Sequence, residues 1–83
     1  MLGVTYSKDA LRALQSMPAK EARHVTEKVA AYAAQPSSQA RNVRALKGRP
    51  GYRLRVGDWR VIFEREVDEI FVVAVGPRGS VYK

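Results

Sequence analysis

The chain has 83 residues, 46% of them hydrophobic and none of them cysteine, and its 15 Lys and Arg stand against 8 Asp and Glu for a net charge of +7. That length suits one domain and leaves no material for a second core, and no apolar run approaches the roughly 20 residues of a membrane span. Disulfides and thiolate metal sites are excluded, and the charge points to a polyanionic or acidic partner.

The opening MLGVTYSKDA has none of the basic, apolar and small-residue blocks of a signal peptide, so a cytoplasmic location is expected. Val4 to Tyr6 is β-prone, and Ser7 offers an N-cap to KDALRALQSM, where Ala10, Leu11, Leu14 and Met17 recur at helical spacing. Pro18 is tolerated at the start of a second helix, in which Ala22, Val25, Val29, Tyr32 and Ala33 keep the rhythm until Pro36 stops it. The two helices are expected to form a hairpin. SSQARN then reads as a polar loop, and Leu46 is the one strong apolar anchor of a basic connector punctuated by Gly48, Pro50 and Gly51.

Three strands are predicted next: Tyr52 to Val56, Trp59 to Arg65, and Glu69 to Val75. Gly57 and Asp58 form a two-residue turn that fixes the register of the first two, pairing Val56 with Trp59, Arg55 with Arg60, Leu54 with Val61, Arg53 with Ile62, and Tyr52 with Phe63. One face of this hairpin is then Tyr52, Leu54, Val56, Trp59, Val61 and Phe63, all core-like, and the other is Arg53, Arg55, Arg60, Ile62 and Glu64. IFVVAV, apolar on both faces, predicts a central buried strand, and GPRGSVYK a loop with a short extended tail. The fold class is α+β in the order β-α-α-β-β-β: a two-helix hairpin packed on a small, mainly antiparallel twisted sheet of about four strands.

The charge is concentrated. Seven basic residues lie between positions 41 and 60: Arg41, Arg44, Lys47, Arg49, Arg53, Arg55 and Arg60. Arg55 opposite Arg60 costs the fold up to about 1 kcal/mol, and the one acid of that face, Glu64, is diagonal to Arg53. An anionic ligand would balance the rest, because guanidinium forks fit phosphate oxygens. The acids form no ligand cluster, so neither a metal nor a cofactor is expected, and His24 falls on the polar side of the second helix.

The layout, together with LKG (Leu46 to Gly48), GYRLRVGDWRVIFE (Gly51 to Glu64), VVAVGPR (Val72 to Arg78) and the closing Val81 and Tyr82, resembles the RelE/ParE superfamily of toxins from bacterial type II toxin-antitoxin pairs, and is nearer to RelE. The resemblance covers nearly all of residues 1–83, taken as a single toxin domain. It implies a cognate antitoxin protein as partner, with contact to DNA only through the toxin-antitoxin complex and none to a membrane. RelE-like members cleave mRNA on the ribosome without a metal, by attack of the ribose 2′-OH on the adjacent phosphate. ParE-like members instead poison DNA gyrase, and an inactive antitoxin-binding protein is a further alternative.

Carried over position by position, the resemblance puts Arg53 and Arg55 on the two strand cations of the RelE site and Arg60 on its hairpin arginine. Arg78 falls on the arginine assigned to the leaving group, and Tyr82 on the tyrosine that stacks on a base. Arg41, Arg44, Lys47 and Arg49 would flank the site as RNA phosphate contacts or form a solvated loop. The best-described member has lysines where this chain has Arg53 and Arg55, and an arginine cannot act as a base at neutral pH. That role is left to Tyr82 or Glu64.

Overall fold

The computed structural model describes residues 1–79. Strand β1 (Gly3–Tyr6) leads into helices α1 (Lys8–Ser16) and α2 (Ala19–Ala34), then a 3₁₀ segment (Pro36–Asn42) and strands β2 (Val43–Ala45), β3 (Tyr52–Val56), β4 (Trp59–Arg65) and β5 (Glu69–Pro77). The five strands form one sheet in the order β1-β5-β4-β3-β2. β1 runs parallel to β5, and the other neighbours are antiparallel. Among the described residues no helix is long and apolar enough to cross a membrane.

The helices cover one face of the sheet. Ala10 and Leu14 of α1 and Val25, Val29, Tyr32 and Ala33 of α2 share a core with Leu54, Val56, Val61, Phe63, Ile70, Val72 and Val75. Each fully buried aliphatic or phenyl group contributes about 1.5–3 kcal/mol. Phe63 sits between two rings, 5.0 Å from Tyr32 and 5.5 Å from Tyr52, which anchors the centre of β4 in the core. Leu11, in phase with the apolar rhythm of α1, is nevertheless 45% exposed, and the residues this short helix buries are Ala10 and Leu14.

The sheet has a fifth strand that the sequence does not announce. β2 pairs through Val43 with Leu54, Arg44 with Arg53 and Ala45 with Tyr52. Three residues among charges are too few to show alternation. The expected polar loop before it is wound into the 3₁₀ segment, begun by Pro36 and closed on α2 by Ser38 Oγ donating to Ala31 O at 3.3 Å. β5 also departs from expectation. It lies between β1 and β4, with β4 in the centre, and it is not buried on both faces: Phe71 is 38% exposed, and Val73 and Ala74 are half-buried.

The cause is a β-bulge. Ile62 pairs with Ala74 but Phe63 pairs with Val72, which leaves Val73 as the extra residue of β5. Its presence inverts the alternation, so that Ile70 and Val72 before the bulge and Val75 after it all reach the core, while Ala74 and Gly76 fall opposite Ile62 and Arg60 on the open face. Ser7 ties this bulge to α1: its Oγ caps the helix by accepting from Ala10 N at 3.0 Å and donates to Val73 O at 2.7 Å, while its N–H donates to Val72 O at 2.9 Å. Ser7→Ala removes both hydroxyl bonds and is expected to lower the unfolding free energy by about 1–2 kcal/mol, measured by urea denaturation. A loss within a few tenths would mean that water replaces these bonds.

Candidate functional site

The open face carries arginines in two cross-strand rows. Pairing places Arg44, Arg53, Ile62 and Ala74 side by side in one row, and Arg55, Arg60 and Gly76 in the next. The bulge puts only Ala74 and Gly76 at the β5 end of these rows, so β5 itself sets no large side chain beside the guanidinium groups there. Arg78 follows just past β5, held beside the hairpin by its own N–H donating to Asp58 O at 2.8 Å. The result is a hollow of about 410 Å³ lined by Arg41, Asn42, Arg44, Arg53, Arg55, Arg60, Arg78 and Gly79. Six of these eight residues are arginines and none is an acid.

Arg60 is anchored to its own turn. Its Nη1 donates to Gly57 O at 3.0 Å and to Trp59 O at 2.9 Å, which uses both hydrogens of that nitrogen. Among the described residues its Nη2 and Nε make no hydrogen bond. Burial lowers its pKa from the ordinary guanidinium value, the neighbouring charges of Arg78, Arg53 and Arg55 lower it further, and Asp58 opposes them. A guanidinium starts so far above neutrality that Arg60 remains a cation. The local excess of positive charge is what an anion would relieve.

Arg55 is aimed by a relay that starts in the interior. Gln39, only 7% exposed, accepts at Oε1 from Asn42 Nδ2 at 3.4 Å, and Asn42 Oδ1 accepts from Arg55 Nη2 at 3.3 Å. Neither Gln39 nor Asn42 is marked by the sequence, where both fall in an apparently featureless polar stretch. Their one signal is position, immediately before the basic connector. Arg55 and Arg60 stand directly opposite one another, as the two-residue turn requires. Arg55→Ala should therefore raise stability by up to about 1 kcal/mol at low salt, a gain that shrinks as salt screens the pair. Thermal melts at two ionic strengths test this; a loss of stability at both would make Arg55 a structural residue.

A second hollow of about 650 Å³ adjoins the first and shares Arg44 and Arg53 with it, its other lining residues being Ala45, Leu46, Lys47 and Arg49. Thus Arg41, Arg44, Arg53, Arg55, Arg60 and Arg78 converge, and Lys47 and Arg49 lie alongside rather than within. Tyr82 lies outside the described residues. Glu64 does not line the arginine hollow. Trp59, expected in the core, is half-buried, because its Nε1 donates to Glu21 Oε1 at 2.9 Å and pins the first turn of α2 to the end of the hairpin. His24 is exposed on α2, and among the described residues no group of three His, Asp or Glu stands close enough to hold a metal ion. Chemically, the hollow offers several charge-assisted donors to phosphoryl oxygens, the arrangement that stabilises a crowded anionic transition state.

Comparison with known proteins bears on the fold and the family. Residues 4–82 match the sequence model of the family described as ParE toxin of type II toxin-antitoxin system, parDE. No curated protein sequence matches. Among solved structures, the archaeal RelE-RelB complex from Pyrococcus horikoshii OT3 contains a chain 29% identical to this one, with a TM-score of 0.76 over 96% of this chain and 98% of that one. The intact RelBE toxin-antitoxin complex of E. coli gives 21% identity and a TM-score of 0.74, over 93% and 96% of the two chains. A YoeB/ParE toxin from Agrobacterium tumefaciens shares the fold at 10% identity, with a TM-score of 0.74 over 93% and 99%.

Proposed function

Because the chain belongs to the ParE toxin family of type II toxin-antitoxin systems, within the RelE/ParE superfamily, we propose that it is a toxin that cleaves mRNA on the ribosome and so stops translation in the cytoplasm. The observation that carries this reading is the hollow in which six arginines meet without an acid. In the proposed reaction the ribose 2′-OH attacks the adjacent phosphorus and the P–O5′ bond breaks, leaving a 2′,3′-cyclic phosphate and a 5′-OH. Arg53, Arg55 and Arg60 hold the phosphate and stabilise the charge gathering on its oxygens. Arg78 stabilises the departing 5′ oxygen. Tyr82 orients the nucleotide or takes the 2′-OH proton, since the arginines cannot. Lys47 and Arg49 bind flanking phosphates.

The proposed partner is an antitoxin whose acidic, amphipathic segment covers the arginine face; several similar structures are toxin-antitoxin complexes. A second reading follows from the family description itself, which is that of ParE: a poison of DNA gyrase on the same scaffold, for which the arginine face would be a binding surface. Induction in cells separates the two. The first reading expects translation to halt with mRNA cut at ribosomes. Intact mRNA with accumulating gyrase–DNA complexes would establish the second in its place.

A further inference from the structure

Beyond the arginine rows, the open face continues into a third hollow of about 230 Å³, lined by Leu46, Arg49, Pro50, Ile62, Glu64 and Val73. It shares Leu46 and Arg49 with the second hollow, which shares Arg44 and Arg53 with the first, so the three lie in succession, forming a track along the open face. Its chemistry differs from the rest. Ile62 is 4% exposed although it is not part of the helix-side core, so its cover comes from the open face.

The loop over that face is held in place by Leu46 N–H donating to Gly51 O at 3.0 Å. Gly51 (φ 113°) passes so close to the sheet that a Cβ there would come within 3.1 Å of Phe63 O and 3.3 Å of Leu46 Cδ1. The hollow is therefore built into the fold.

Glu64 is the one acid in its lining. The ion pair found among the described residues is Arg12 with Asp9, at 3.5 Å, so none of those residues brings a cation within that range of the Glu64 carboxylate. A carboxylate at this point repels phosphate and accepts hydrogen bonds. It suits an uncharged, planar, donor-bearing group whose attached phosphates lie further along the track. Guanine alone among the RNA bases presents two adjacent donors on its pairing edge, N1–H and the N2 amine, which match the two carboxylate oxygens. Leu46 and Pro50 offer apolar contact to the ring, and the Arg49 guanidinium can stack on it.

We infer that this third hollow receives a guanine base of single-stranded RNA, with Glu64 as the residue that selects it. The inference rests on the reading of the arginine hollow as an RNA phosphate site. The test uses fluorescein-labelled uridine hexamers carrying one central guanosine, adenosine, cytidine or inosine, with binding followed by fluorescence anisotropy at low salt. The guanosine RNA should bind about tenfold more tightly than the adenosine and cytidine ones, within the range of a bidentate base contact. Inosine, which lacks the N2 amine, should fall between.

In Glu64→Gln, which keeps one acceptor, the guanosine RNA should lose its advantage over the adenosine RNA. Equal, salt-sensitive binding of all four RNAs would overturn the guanine hollow while leaving the phosphate reading intact. No binding of any RNA would overturn both. Loss of antitoxin affinity in Glu64→Gln, with base preference unaltered, would assign the hollow to the partner protein and overturn the inference.

Discussion

Arg60→Ala should lower single-turnover cleavage of mRNA on programmed ribosomes by about 100-fold or more, the cost of removing one preorganised donor from a developing anion, while the protein still folds. The two statements belong together. Arg60 contributes two bonds to carbonyls of its own turn, Gly57 O and Trp59 O, which water can reach once the side chain is gone. Against that loss stands relief of the repulsion with Arg55 across the strand pair. The net change in stability should stay within about 1 kcal/mol, read from the thermal midpoint. Arg60→Lys should recover only part of the activity, because an ammonium keeps the charge but cannot present a planar fork. A sharp fall in the melting temperature of Arg60→Ala would instead identify a structural arginine.

Arg78→Ala should cost a similar factor, and the proposed division of labour makes it distinguishable from Arg60→Ala. If Arg78 stabilises the departing 5′ oxygen, a substrate in which sulfur replaces that bridging oxygen needs the residue far less, since a thiolate leaves without help. The sulfur substrate should therefore restore Arg78→Ala to within about tenfold of wild type, against a loss of about 100-fold on the oxygen substrate. It should leave Arg60→Ala impaired, because that side chain is proposed to act on the non-bridging oxygens. Equal rescue of both variants would remove the leaving-group role from Arg78. The backbone bond from Arg78 N–H to Asp58 O survives the substitution, so the β5 end should stay in place.

The parts of the molecule legible in the sequence are those fixed by short-range geometry. Gly57 and Asp58 determine a two-residue turn, and the five pairs of β3 and β4 follow from it in the structure as they do on paper. Proline punctuation and the apolar rhythm mark both helices. The convergence of Arg53, Arg55 and Arg60 was visible for the same reason. What stayed hidden depends on contacts distant in sequence. β2 exists only because β3 offers it an edge. The bulge at Val73 is invisible within a run of valines, any one of which could be the extra residue, yet it decides that Ala74 and Gly76 face the arginines. Gln39 and Asn42 look like loop polarity until the 3₁₀ segment turns one inward and the other towards Arg55. Only the resemblance points to Arg78, which a backbone bond to Asp58 O holds beside the hollow.

The most direct test of the arginine hollow as a metal-independent RNA-cleaving site is the chemistry of the cut ends. Purified protein is mixed in excess with ribosomes programmed with 5′-labelled mRNA, once in Mg²⁺ and once with cobalt hexammine exchanged for Mg²⁺ and the ribosomes verified intact. The expected result is one cut per bound message, bearing a 2′,3′-cyclic phosphate and a 5′-OH, at the same rate in both solutions, with naked mRNA untouched. Ends bearing a 3′-OH and a 5′-phosphate, or cleavage that fails in cobalt hexammine, would contradict it.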